Sequence, residues 1–127
     1  MEIEHLALWV ENLEEMKAFY CTYFHMTANE KYHNPAKNFT SYFLSFESGA
    51  RIELMHKPGL VSFVEQNDLR GFNHIAISVG SKAKVLEMTE KLRKAGFEIK
   101  SEPRTTGDGY FESVISDPEG NSIELTI

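Results

Sequence analysis

The sequence predicts an α+β fold built from two tandem βαβββ modules, and three observations carry that expectation. Residues 72–79 alternate as a half-buried strand, with Asn73, Ile75, Ile77 and Val79 on one face and Phe72, His74, Ala76 and Ser78 on the other. The same pattern stands at 3–10, where Leu6, Leu8 and Val10 oppose His5, Ala7 and Trp9, an offset of 69 positions from His5 to His74. Each strand is followed by an amphipathic helical pattern, and each half closes on Ile-Glu-Leu, at 52–54 and 123–125, an offset of 71. The drift from 69 to 71 is a small difference in loop length, so the chain reads as one module written twice.

In the first module, about residues 1–56, Asn12 caps a helix with Glu15 as its capping-box partner. Met16, Phe19, Tyr20, Tyr23 and Phe24 recur at helical spacing, a stripe that belongs to a core under a sheet. The helix should end near His25. Residues 27–31 give a weak strand, and 32–38, polar and holding Pro35, a loop. Residues 41–46 alternate, Ser48-Gly49 turns the chain, and 51–56 is the hairpin partner, with Ile52 and Leu54 on one face and Arg51, Glu53 and Met55 on the other.

Residues 57–71 form the linker, with Pro58, Gly59 and Gly71 and a short apolar patch at 60–64 suited to a helical turn. The second module, about 72–127, repeats the plan. Ser81 caps its helix, Val85, Met88, Leu92 and Ala95 form the stripe, and Gly96 suits a left-handed C-terminal cap. A strand is expected at 97–102 and a glycine-bearing loop at 103–109. Residues 110–116 and 122–127 then pair across Asp117-Pro118-Glu119-Gly120-Asn121, a strong turn signal.

Bulk properties narrow the function. The 127 residues suffice for a real core, and 42% hydrophobic with 25% charged residues is ordinary globular composition. A net charge of −6 disfavours nucleic acid or an anionic membrane as partner. The single cysteine, Cys21, has no internal disulfide partner, which suits a reducing, cytoplasmic setting. No apolar run reaches membrane-spanning length, and the first residues read as a strand rather than a signal peptide.

A lone histidine on a strand is ordinarily a surface or hydrogen-bonded residue, and a lone glutamate ordinarily faces water. The repeat changes that weighing. His5 and His74 occupy matching positions, as do Glu53 and Glu124, and pseudo-symmetric modules can direct four such side chains to one centre. Two neutral imidazoles with two carboxylates leave two negative charges, which one divalent cation cancels; without it, facing carboxylates are costly. The donor set suits Ni, Co, Mn, Fe or Zn rather than Cu(I) or Ca, and leaves open positions in an octahedral shell. The other candidates are plainer: His56 falls on the face opposite Glu53 and reads as surface, His25 sits at a helix C-terminus, His33 lies in a loop, and Cys21 has no activating partner.

At these residues the chain resembles the vicinal oxygen chelate superfamily and, within it, glyoxalase I. The resemblance is carried by Ile3-Glu4-His5-Leu6-Ala7-Leu8, Ala18-Phe19-Tyr20, Arg51-Ile52-Glu53-Leu54, Asn73-His74-Ile75-Ala76 and the run from Asp117 to Leu125. It implies curved mixed sheets enclosing a metal-binding cleft, a homodimer, and His5, Glu53, His74 and Glu124 as metal ligands. The compact length is similar to that of the Ni- or Co-preferring enzymes rather than the longer Zn-dependent ones. The implied activity is isomerisation of the hemithioacetal of methylglyoxal and glutathione to S-lactoylglutathione. The resemblance makes Glu124 the mobile base and Glu53 the opposed carboxylate.

Two departures bear on the substrate. Where glyoxalase I has an arginine that grips a glutathione carboxylate, four residues after the first histidine, this chain has Trp9; where an asparagine follows the first glutamate, it has Lys57. Another thiol, or an apolar or aromatic small molecule stacking on Trp9, fits that change. The alternatives are an extradiol dioxygenase, an epimerase, a fosfomycin-type thiol transferase, or a non-catalytic drug-binding protein of the bleomycin-resistance kind. The fourth ligand, Glu53, argues against the dioxygenase, and the intact ligand set against the drug-binding protein.

Overall fold

The computed structural model describes residues 2–61, 71–107 and 109–127. The chain divides into two compact units, Met1–Gln66 and Asn67–Ile127, each built around one mixed sheet. Unit one comprises β1 (His5–Trp9), α1 (Leu13–Phe24), β2 (Thr27–Ala28), β3 (Tyr32–Asn34), a 3-10 turn at Pro35–Lys37, β4 (Phe39–Ser45) and β5 (Arg51–His56). Its sheet runs β1-β5-β4-β2, with β3 also paired to β4. Unit two comprises β6 (His74–Ser78), α2 (Lys82–Lys94), β7 (Ile99–Thr105), β8 (Phe111–Ser116) and β9 (Ser122–Thr126), in the order β6-β9-β8-β7.

The two sheets share their decisive pairing. In each unit the first strand lies parallel to the last, β1 on β5 and β6 on β9, while the remaining neighbours are antiparallel. The same backbone bond ends each parallel ladder: Val10 N–H donates to the Met55 carbonyl and Val79 N–H to the Thr126 carbonyl, both at 2.8 Å.

Alternation along these strands sets one face for the helix and one for chemistry. In unit one, Met16, Phe19, Tyr20 and Phe24 of α1 are buried, together with Tyr42, Leu44, Ile52 and Leu54 of the sheet. In unit two, Val85, Thr89 and Leu92 of α2 are buried with Ile77, Ile115, Ile123 and Leu125. Each fully buried aliphatic side chain contributes roughly 1.5–3 kcal/mol. The buried stripe of α2 differs from the expected one: Met88 is only half-buried and Ala95 is exposed at the helix cap, while Thr89 fills the core between Val85 and Leu92. Its hydroxyl is satisfied, donating to the Val85 carbonyl at 2.6 Å and lying 2.7 Å from Ser113 Oγ.

The helices begin and end where their caps dictate. Asn12 Oδ1 accepts from Glu15 N–H at 3.1 Å while Asn12 Nδ2 donates to Glu15 Oε2 at 2.9 Å. Ser81 Oγ accepts from Lys84 N–H. α1 stops at His25, which takes a left-handed φ of 56°. Gly96, at φ 91°, closes α2: Gly96 N–H donates to the Arg93 carbonyl and Phe97 N–H to the Leu92 carbonyl, a Schellman pair.

The second cap also explains a displaced strand. Phe97 is spent on the turn, so β7 starts at Ile99 rather than 97 and runs to Thr105 through Pro103. A proline is tolerated because β7 is an edge strand whose register slips between Ser101 and Arg104. In unit one, β2 is only two residues long, and the expected loop at 32–38 holds β3 and the 3-10 turn, capped by Asn34 Oδ1 on Lys37 N–H. β4 begins at Phe39 and ends at Ser45, two residues before and one residue before the expected bounds. From residue 62 on, the helical turn expected at 60–64 lies outside the described residues.

One polar cluster ties α1 to its sheet. Glu14 receives Lys31 Nζ at 2.8 Å, Lys17 Nζ at 3.0 Å and Tyr42 Oη at 3.1 Å. The Lys31 contact, then that of Lys17, lower its pKa from 4.5 to about 2. A carboxylate depressed in the folded state stabilises fully above its unfolded pKa, and that contribution disappears as pH falls from about 4.5 through about 2. Glu14 is half exposed, so solvent screening reduces the effect. A Glu14→Gln variant should therefore show a flatter loss of stability between pH 5 and 2 than the parent, read from denaturant midpoints by circular dichroism. Parallel curves would show that the cluster does not couple to folding.

Candidate metal and acid-base site

The parallel ladders place each predicted histidine beside its predicted glutamate. Ala7 stands opposite Glu53 in the β1–β5 register, and Ala76 opposite Glu124 in that of β6 and β9. His5 and His74 lie two residues earlier on the same faces. The small alanine side chains leave each His–Glu diagonal open. His5 Nε2 is 3.9 Å from Glu53 Oε2, and His74 Nε2 is 3.5 Å from Glu124 Oε2. The exposures match as well: the histidine side chains are each 39% exposed, those of the glutamates 16% and 17%. The four candidates thus form two equivalent pairs, one in each unit. Among the described residues, no group of three or more His, Cys, Asp or Glu is gathered closely enough to hold a metal.

Both rings are held by their other nitrogen. His5 Nδ1 donates to Glu4 Oε2 at 2.5 Å, and His74 Nδ1 to Asn73 Oδ1 at 2.9 Å. Glu4 is also paired with Arg51; the hydrogen bond from His5 is the largest cause that keeps its carboxyl below the ordinary pKa. Oxygen acceptors of this kind fix the Nδ1–H tautomer and leave the Nε2 lone pair directed at the glutamate. That is how a metal-ligating histidine is prepared. Neither Nε2–carboxylate distance is a hydrogen bond, so these donors are not consumed by each other. Each unit therefore offers one imidazole and one carboxylate, donors of the kind that a divalent cation takes. Phe43 packs edge-on against His5, with ring centroids 5.4 Å apart.

The surroundings of the two glutamates differ. Val114 faces Glu124 across β8, and Glu112, two residues earlier on that face, is nearly buried and held by Arg104 Nη2 at 3.2 Å. Burial pushes the Glu124 pKa up, the Glu112 charge and a hydrogen bond with it add to that, and His74 and Arg104 pull it down. Thr126 stands opposite Glu112, and its buried hydroxyl has no hydrogen-bond partner among the described residues. In unit one the residue facing Glu53 across β4 is Phe43.

Glu112 and Arg104 were not singled out from the sequence, because only the pairing of β7, β8 and β9 brings them to Glu124. Glu4 and Asn73 were within reach, since each directly precedes a repeated histidine. His56 corrects its surface reading. It does lie opposite Glu53, but it is half-buried, with Nδ1 2.9 Å from the Val10 carbonyl. His25 is an exposed helix cap and His33 an exposed residue of β3 rather than of a loop. Trp9, 48% exposed, shares the face of His5.

Comparison with known proteins agrees with this architecture. The model of the Glyoxalase/Bleomycin resistance protein/Dioxygenase superfamily matches residues 2–125, and the chain belongs to that superfamily. It is 30% identical over 130 residues to a probable lactoylglutathione lyase of Synechocystis, covering 98% of this chain and 94% of that protein. Among solved structures, glyoxalase I of Zea mays is similar at a TM-score of 0.81 and 25% identity, over 98% of this chain but only 44% of the maize chain. The trypanothione-dependent glyoxalase I of Leishmania major is similar at 0.80 and 26%, over 99% and 86% of the two chains. Among the described residues, no helix is long and apolar enough to cross a membrane.

The acid-base environment of Glu124 can be measured directly. In metal-free protein, carboxyl-carbon NMR should find Glu124 titrating above an ordinary glutamate. Glu112→Gln should bring it down, and Arg104→Met should push it up. An unchanged titration in the Gln variant would remove Glu112 from the account.

Proposed function

We propose that this protein is a glyoxalase I-like metal-dependent lyase that isomerises a hemithioacetal to a thioester. The observation that carries the reading is the duplicated His–Glu pair, with each ring locked through Nδ1 and each Nε2 left free. Superfamily membership and the name of the Synechocystis relative support it. In this reading His5, Glu53, His74 and Glu124 hold one divalent cation per chain, Ni or Co first, with Zn, Mn and Fe as the other candidates. The cation, when bound, supplies Lewis acidity that makes a proton next to a carbonyl easier to remove.

Glu124 is the base. It takes the proton from the thiol-bearing carbon of the hemithioacetal, and the electron pair left behind passes into an enediolate. Returning the proton to the neighbouring carbon completes an internal redox change in which the first carbon is oxidised and the second reduced. A carboxylate with a raised pKa suits this exchange better than an ordinary one. Glu53 is the opposed carboxylate, and among the described residues its sheet face carries no acidic partner like Glu112: Ser41 pairs with Met55 where Glu112 pairs with Thr126. The starting substrate is the hemithioacetal of methylglyoxal and glutathione, with another thiol as cosubstrate where Trp9 and Lys57 replace the usual glutathione-gripping residues. The protein works as a cytoplasmic homodimer on a small molecule.

Metal analysis and kinetics test this together. His74→Ala should abolish stoichiometric metal binding. Glu124→Gln should keep most of the metal while kcat falls by about 10²-fold or more, the scale for a lost general base. Wild-type metal content in the Ala variant would remove His74 from the ligand set, and near-normal turnover in the Gln variant would take the proton transfer away from Glu124. Sedimentation at micromolar concentration should show a dimer; a monomer alone would end that part of the proposal.

A further inference from the structure

The face of unit one that bears His5 has two chemically distinct ends. One carries His5, Glu53 and Arg51. At the other, about 13 Å along β1 at four residues' rise, stands Trp9. Trp9 pairs in register with Met55, and Lys57, just past the end of β5, lays its ammonium over the Trp9 ring. The Trp9 ring meets Phe39 edge-on at 6.1 Å, and Phe39 meets Tyr32 at 6.2 Å. Asn34 Nδ2 donates to Tyr32 Oη at 3.3 Å. Trp9 and Tyr32 are each about half exposed, at 48% and 52%.

Single exposed aromatics are common on any protein, but three in contact on one sheet face form a surface of a kind that binds. The cation above them gives the surface a second requirement. Lys57 Nζ lies 4.8 Å from the Trp9 ring centroid, and among the described residues no carboxylate is within ion-pair distance of it. This is so in a chain where acidic residues outnumber basic ones, 19 to 13.

The copied module shows that this end has diverged while the other has not. The His–Glu diagonal is the same in both units. Yet Ser78 stands where Trp9 does, Thr126 where Met55 does, and that end of the second face carries Glu112 and Arg104. An aromatic and cationic surface present in one copy alone matches a ligand with one reactive end and a different tail.

We propose that Trp9, Phe39, Tyr32 and Lys57 form a specificity subsite for an aromatic carboxylic acid, the ring on Trp9 and Phe39 and the carboxylate at the Lys57 ammonium. The proposal rests on the reading that His5 and Glu53 serve the reacting end, and it makes the preferred thiol cosubstrate, in place of glutathione, one whose non-reacting part is an arylalkyl acid. Ring packing and a charge-assisted contact act together there, each modest when exposed.

Trp9 is the single tryptophan of the chain, so its emission reports this subsite without turnover. The probe is 4-phenylbutyrate, titrated into the full-length protein with and without metal, with excitation at a wavelength the probe does not absorb. A saturable change in emission is expected in both forms. Lys57→Ala should weaken it about fivefold or more, Lys57→Arg should retain it, and 4-phenylbutyramide should bind wild type and Lys57→Ala alike. Absence of a saturable change, or equal affinity for the acid in wild type and Lys57→Ala, would overturn the subsite. So would emission that depends on protein concentration and ignores the probe, which would assign the aromatic face to a second copy of the chain. Binding of the probe by a protein inactive on hemithioacetals would uphold the subsite and refute the lyase reading; turnover of the glutathione adduct without probe binding would do the reverse.

Discussion

Parallel pairing between the first and last strand of each unit is the constraint on which the chemistry depends. A parallel ladder keeps register partners on one face, so Ala7 opposite Glu53 obliges His5 to share the glutamate's side, and Ala76 opposite Glu124 does the same for His74. A slip of one residue would turn either glutamate into the helix-covered core and expose Leu54 or Leu125, both fully buried. The register is thus held by the core on one face while it positions ionisable groups on the other. Buried leucines and isoleucines do the holding; the histidines and glutamates, partly exposed, follow.

The two copies solve the support of the histidine differently. Glu4 offers a charged acceptor, itself restrained by Arg51, and Asn73 a neutral one. A carboxylate holds its ring by a charge-assisted contact and an amide by a neutral one, so the two histidines are unequally supported despite equal exposure. The glutamates are unequal too. Glu124 shares its face with Glu112 and Arg104, and Glu53 faces the ring of Phe43. Duplication supplies matched positions, and substitution around them separates their roles.

Most of this was legible in the sequence wherever periodicity and duplication spoke together. The alternation at 3–10 and 72–79, the Ile-Glu-Leu pair, the Asn12 and Ser81 caps and Gly96 all read correctly, because each rests on a local rule. What escaped depended on pairing across the sheet. β3 forms because Tyr32, His33 and Asn34 meet Ser41, Thr40 and Phe39, which nothing in a polar stretch before a proline announces. Thr89 looks polar until Ser113 is placed beside it. Glu112 is one acidic residue among many until β8 turns it toward Glu124.

Strand order also has a consequence for how each unit comes into being. Residues 5 and 53, and again 74 and 124, are joined by a pairing that spans nearly the whole of their unit, with the helix and the antiparallel strands lying between them in sequence. Contacts of such long sequence separation carry a large loop-closure entropy and favour formation late, once the intervening elements have shortened the effective loop. Each His–Glu pair is then among the last features a unit acquires. A partly folded chain exposes its histidine and glutamate apart from one another, and the paired arrangement becomes a signature of a unit that has folded to completion.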